Sequence, residues 1–388
     1  MEVTKNNRID SIDLLRGLVM VVMALDHTRH YFHLEIFEPT NIENTTPILF
    51  FTRFITHYCA PTFVFLAGTS AYLYGVKKQK SQLFIFLFTR GIWLILLEIF
   101  LNDFIWFFDK DFEFIQLQVI WILGVSMIWL SFFIYFPEKF ILAFGIILVA
   151  GHNLLDGITM EGNSFKSMLW YILHQVSSFP LGENRAVGIS YPLLPWPGVM
   201  MLGYCIGNFY KKTTNITTRK KWLFRIGFGT TILFFIIRGM NIYGDPVPWS
   251  QQKNLTYTIL SFLNVTKYPS SLSFLLITLG PSLLFLSRTE NIKNRVTDFF
   301  VVFGRVPLFY YFLHIFILNL AATIIGGNLV GWLLNGQDFK SGRLGAEGYS
   351  LWVVYIIWIC IVLLLYPLSN WYMKYKSNNR DKWWLSYL

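Results

Sequence analysis

Long apolar runs separated by short polar stretches dominate the chain. Those long enough to cross about 30 Å of hydrocarbon predict roughly ten helices, near 12–33, 47–75, 82–107, 114–136, 139–155, 192–210, 222–241, 271–287, 303–326 and 350–372. The run at 166–179 is too short to span and predicts an amphipathic or re-entrant piece inside a long loop. No repeat of 20–50 residues divides the pattern, so 1–388 is read as one transmembrane domain. The expected fold class is all-α, a polytopic integral membrane protein.

Polar positions inside the runs fall at helical spacing. In the first, Asp13, Arg16, Met20, Met23, His27 and His30 share one face. A charged side chain near a bilayer centre costs roughly 2.5–3.5 kcal/mol on insertion scales, so this stripe marks a candidate site. A plainer alternative is that Arg16 pairs with Asp13 to hold helices together, but it leaves Asp26 and His27 unexplained. The second run places Arg53 and His57 four residues apart and follows them with Pro61, which predicts a kink. In the ninth, Tyr310 and Tyr311 stand four and three residues before His314, spacings that suit a tyrosine–histidine hydrogen bond. Arg305 is positioned either to meet a phosphate or to snorkel to headgroups. Arg90 has the same two readings, with Glu98 as its buried partner or as a second acid of the site.

Composition agrees with the pattern: 54% of the 388 residues are hydrophobic and 14% charged, outside the range of a soluble globular domain. Cys59, Cys205 and Cys360 sit in separate apolar runs without ligand spacing, so neither a disulfide framework nor a zinc site is indicated. No metal is expected at Asp26 and His27, which are adjacent in sequence; a site joined across helices stays open.

The net charge of +10 reads as a topology signal, not as a nucleic-acid footprint. Basic residues gather on alternate loops: Lys5 and Arg8; Lys77, Lys78 and Lys80; Lys139; 211–221; Arg288, Lys293 and Arg295; Lys374, Lys376, Arg380 and Lys382. The other loops are poor in them and include the acidic stretches 35–45 and 102–113. Both termini are therefore expected in the cytoplasm, in keeping with an even helix count. Asp13 and Arg16 interrupt the first run, which is read as a retained helix and not as a signal peptide. In this orientation His27 lies toward the outer end and Arg16 toward the inner end, about 16 Å away at 1.5 Å per residue.

Such an axis suits transfer of an activated acyl group across the membrane. Inner cations would meet the phosphates of a thioester donor, with Arg16, Arg90 and Arg305 as candidates, and an outer histidine would serve as base toward an amine or hydroxyl. Either His27 acts as general base while the thioester carbonyl rests against Arg53 or Tyr310, or a histidine is itself acylated in a ping-pong scheme. On the acceptor side, Trp170, Tyr191, Trp196, Trp249, Tyr257, Lys267 and Tyr268 suit a pyranose ring, although aromatic residues gather at membrane interfaces generally. A proton-coupled transporter is the alternative, but isolated breaks at Pro61, Pro307 and Pro367 show no duplicated half. A non-catalytic scaffold leaves the stripe unexplained.

The segments SIDLLRGLVMVVMALDH, PTFVFLAGTSAYLYG, LQVIWILGVSMI, LPWPGVMMLGYCIG, NVTKYPSSLSFLLITLGP and GRVPLFYYFLHI together resemble the bacterial relatives of heparan-alpha-glucosaminide N-acetyltransferase, in order over helices one to nine. Arg16 and His27 also resemble the arginine–histidine signature of the wider acyltransferase-3 group. The resemblance implies an enzyme of a bacterial inner membrane that takes acetyl from cytosolic acetyl-CoA and delivers it to a sugar or glycan on the far side. By the same pattern His27 is catalytic, Asp26 orients it and Arg16 faces the donor. The eukaryotic enzyme places its catalytic histidine beyond the position that His27 matches, so His57, His30 and His33 stand as alternatives. Its luminal domain has no counterpart expected here, and a homodimer stays open.

Overall fold

In hydrocarbon every backbone polar group needs a partner within the protein, and a helix supplies one locally. The apolar runs accordingly become helices in the computed structural model, which describes residues 9–34, 37–327, 344, 347–379, 381, 382 and 385. Lys5, Arg8 and Arg380, used above for orientation, lie outside the described residues.

The helices are α1 (Asp10–Phe32), α2 (Pro47–Gly75), α3 (Lys80–Phe107), α4 (Val119–Phe133), α5 (Glu138–Leu155), α6 (Phe165–Leu173), α7 (Trp196–Ile206), α8 (Ile216–Met240), α9 (Leu255–Leu263), α10 (Leu272–Thr289), α11 (Arg295–Arg305), α12 (Pro307–Ile325) and α13 (Leu351–Asn378). Among the described residues, seven are long and apolar enough to cross a membrane: α2, α3, α5, α8, α10, α12 and α13. The other three of the expected ten fall outside that measure: α1 carries Asp13, Arg16, Asp26 and Arg29, while α4 and α7 have only 15 and 11 residues.

The chain is mostly helical but not all-α. The span expected at 114–136 opens as a strand, β1 (Phe114–Leu117), which pairs parallel to β3 (Ala186–Ile189); β2 (Ser177–Pro180) lies antiparallel on the other side of β3. The register sets Phe114 opposite Ala186 and Leu117 opposite Ile189. What starts α4 at Val119 is a remote carboxylate: Glu98, fully buried on α3, accepts the backbone N–H groups of Gln118 (2.9 Å) and Trp121 (3.0 Å). It thus satisfies donors that a helix leaves open at its N-terminus. The expected pairing of Glu98 with Arg90 gives way to this cap, completed by Asn102 Nδ2 at 3.0 Å.

Other boundaries follow from proline. The helix expected at 303–326 is two, because Pro307 occupies the first turn of α12 and leaves Arg305 at the end of the separate α11. In α2 the distortion is a tight turn at Ile55–Tyr58, just before Pro61. Pro61 has no N–H to return to the carbonyl of His57. The run at 166–179 resolves into α6 and β2, neither spanning.

Glycine pairs set how closely the helices cross. A Cβ at Gly17 would overlap the Phe300 carbonyl and one at Gly304 the Asp13 carbonyl, so α1 and α11 touch backbone to backbone. Gly68 and Gly203 do the same for α2 and α7, against the carbonyls of Met200 and Phe65.

Candidate active site

At the C-terminal end of α1 the bundle opens into a cavity of about 640 Å³, here called the chamber. Its walls come from α1, the turn within α2, the end of α3, β1, the 190–191 loop, the 264–268 loop and α12. Of the candidates, His27, Asp26, His57, Arg53, Tyr311, Lys267 and Tyr268 line it, as do His30 and Tyr191.

His27 is held by another histidine. Its Nδ1 lies 2.7 Å from Nε2 of His314 on α12, and the rings are parallel, 4° between planes with centroids 5.0 Å apart. His314 Nδ1 in turn lies 2.7 Å from the Tyr310 carbonyl. A carbonyl only accepts, so with both rings neutral the proton on His314 is on Nδ1 and its Nε2 accepts from His27 Nδ1–H. His27 Nε2 is left with a lone pair, the atom a general base needs. Trp106 packs edge-on against His27 at 4.9 Å, and its Nε1 donates to the Tyr311 hydroxyl at 3.4 Å. The tyrosine–histidine bond expected here is therefore to the Tyr310 backbone. The Tyr310 ring stacks on His314 at 5.0 Å and its buried hydroxyl has no partner among the described residues.

Asp26 does not hydrogen-bond to His27. Its carboxylate accepts from Arg53 NH1 at 2.6 Å and Arg29 NH2 at 3.2 Å, and Arg53 also donates to Thr56 Oγ1 at 3.1 Å. His57 is buried in the chamber wall, edge-on to Phe274 at 5.4 Å, with Nδ1 unpartnered among the described residues. His30 packs edge-on to Trp106 at 5.4 Å. His33 lies past the end of α1 and off the chamber wall.

Across the chamber, Lys267 Nζ lies 5.0 Å from the centre of the Tyr268 ring, and the Tyr268 hydroxyl donates to that of Tyr191 at 3.1 Å. Burial pushes the Tyr268 phenol up, but Lys267 and Arg53 outweigh it and leave it lowered; burial raises Tyr191. The other expected acceptor aromatics have structural bonds: Trp170 Nε1 to the Ile158 carbonyl, Trp249 Nε1 to the Arg238 carbonyl and the Tyr257 hydroxyl to the Thr45 carbonyl. Trp196 is fully buried.

The donor-side candidates lie away from the chamber. Arg16 bonds Asp13 (3.2 Å), the Gly304 carbonyl (3.2 Å) and Ser70 Oγ (2.9 Å), while Arg305 bonds Asp13 (3.4 Å) and Asp10 (3.1 Å). Ser11 and Arg219 both bond Glu290 beside them, making an ionic layer at the N-terminal end of α1. Arg90 lies on α3, its guanidinium 5.6 Å from the Phe86 ring centre. Trp106, Gln116 and Gln118 also line the chamber and carried no signal in the sequence beyond their place within or just after the acidic 102–113 stretch.

A helical integral membrane protein with a paired histidine opening into a polar chamber belongs, by architecture, among proteins that do chemistry or move protons within the bilayer. The family model for heparan-alpha-glucosaminide N-acetyltransferase, catalytic, matches residues 8–243, more than half of the chain, and the chain belongs to that family of membrane acetyltransferases. No curated protein matches it. The matched region holds Asp26, His27, Arg53, His57 and Tyr191; Lys267, Tyr268, Tyr311 and His314 lie beyond it.

Proposed function

We propose that the protein transfers acetyl from cytosolic acetyl-CoA to an amine or hydroxyl of a sugar or glycan on the outer side of a bacterial inner membrane, with His27 Nε2 as the general base. The single observation that carries this is the His27–His314 pair, which leaves that nitrogen unprotonated at the chamber wall. As the acceptor attacks the thioester carbonyl, His27 Nε2 takes its proton. The tetrahedral intermediate then collapses, the carbon–sulfur bond breaks, and the same proton passes to the departing thiolate. His314 orients the ring and disperses the transient charge. Arg53 is the candidate donor to the developing oxyanion; Tyr310, with its hydroxyl turned into the core, is not.

Ten crossings with both termini in the cytoplasm belong to this reading, with α1, α4 and α7 added to the seven longer helices. That topology makes the ionic layer around Arg16 and Arg305 the donor side and the chamber the acceptor side. The test is acetyl-CoA binding and hydrolysis by the purified protein in detergent. Saturable binding weakened in Arg16→Ala, with hydrolysis lost in His27→Ala, is expected. No binding by well-folded parent protein would sink the proposal.

A further inference from the structure

Two short helices at the chamber end carry apolar residues that the protein does not cover. On α6, Phe165 is 83% exposed and Leu169, one turn on, is also exposed; on α9, Leu255 is 76% exposed and Ile259 follows at the same spacing. Each helix is anchored by its opposite face. Tyr171 of α6 packs with Leu117, Val187 and Ile189 of the sheet, and Leu260 of α9 is buried. At nine residues each, or about 13 Å, they are too short to span.

Both faces continue exposed apolar surfaces of the helices long enough to span. Phe262 of α9 stacks on Phe235 at 6.1 Å, and Phe235 stands with Phe228, Ile232 and Ile236 on the exposed side of α8. Trp170 of α6 donates to the carbonyl of Ile158 at 2.9 Å, which ties α6 to exposed Ile158, three residues past the end of α5, where Leu154 is also exposed. Lys166 stands in the first turn of α6 and Lys253 just before α9, and the Lys253 ammonium sits 3.8 Å from the Tyr257 ring centre. A short helix with a one-sided apolar face and flanking lysines lies in the plane of the interface.

Each helix also runs directly into the chamber wall. Val176 follows α6, and the segment from Asn264 to Tyr268, carrying Lys267, follows α9. We propose that α6 and α9 are seated in the headgroup–acyl boundary of the leaflet at the chamber end, and that this seating by lipid holds the Lys267–Tyr268 wall of the chamber in place. The occupant of both faces is phospholipid. The mouth of the chamber is thereby kept at headgroup level, where an acceptor presented on the membrane surface would meet it. That this leaflet is the outer one rests on the proposed topology; the seating itself does not.

The experiment reconstitutes the full chain in liposomes containing a phosphatidylethanolamine with a diazirine high on one acyl chain, followed by photolysis and peptide mapping. Adducts on 165–173 and 255–263, together with α8 and α13, are expected; adducts on α8 and α13 alone would overturn the seating. In a second arm, Leu255→Ser/Ile259→Ser, monodisperse in detergent, should lose its α9 adducts. It should also let a water-soluble amine-acylating reagent modify Lys267 several-fold faster than in the parent. Lost adducts with an unchanged Lys267 rate would overturn the coupling to the chamber wall. Neither readout uses acetyl transfer, so this inference and the proposed activity fail separately.

Discussion

His27 Nδ1 meets Nε2 of His314, a residue 287 positions away, and in the proposed mechanism that bond orients the ring. His314→Ala frees the ring, so kcat for acetyl transfer should fall about 10-fold to 10²-fold with the acceptor KM little changed. His314→Gln, which offers a carbonyl oxygen to the same N–H, should recover part of that rate; equal loss in both variants would contradict an orienting role. Asp26 is a different matter, since its partners are guanidiniums. Asp26→Asn leaves Arg53 buried beside a neutral amide and should cost about 3–5 kcal/mol of stability, read as a lowered unfolding midpoint in detergent. Arg53→Gln in the same chain should restore part of it. His27, His57 and Arg53 were legible because helical spacing places polar groups on one face of an apolar run. The choice of partners was not, because periodicity describes one helix at a time and both His314 and Arg53 reach their partners from other helices.

At the scale of elements, the apolar runs located most of the helices, while their ends depended on contacts from elsewhere. Nothing local to 114–119 says that Glu98 will cap α4, or that Phe114–Leu117 will pair with Ala186–Ile189. Glu98→Leu should therefore cost about 1–3 kcal/mol for each buried N–H it orphans. The orphans are those of Gln118, Trp121 and Asn102, and the effect should appear as a large fall in melting temperature; an unchanged midpoint would remove the cap from the account. Pro307 was visible in the sequence as a break, yet only the fold shows that α11 is a helix in its own right, crossing α1 where Gly17 and Gly304 meet backbone. Gly304→Val sets a branched side chain against the Asp13 carbonyl. It should abolish monodisperse protein on size exclusion, whereas Gly229→Ala, with open space around it, should not.

For the whole molecule, α1 is the axis. One end carries the ionic layer of Asp10, Asp13, Arg16 and Arg305, the other the histidine pair and the chamber. The direction in the proposal rests on the charge bias of the loops, whereas the acetyl group comes from the family match, over residues that stop at 243 and so omit half of the histidine pair. Transfer between the two ends is the central claim. It is tested by sealed proteoliposomes with radiolabelled acetyl-CoA confined to the side of the Arg16 layer and an amino sugar confined to the side of the chamber. Labelled N-acetyl sugar should form with the parent protein and fall at least about 10²-fold in His27→Ala, while His57→Ala retains substantial transfer. Undiminished transfer by a folded His27→Ala protein would contradict the account.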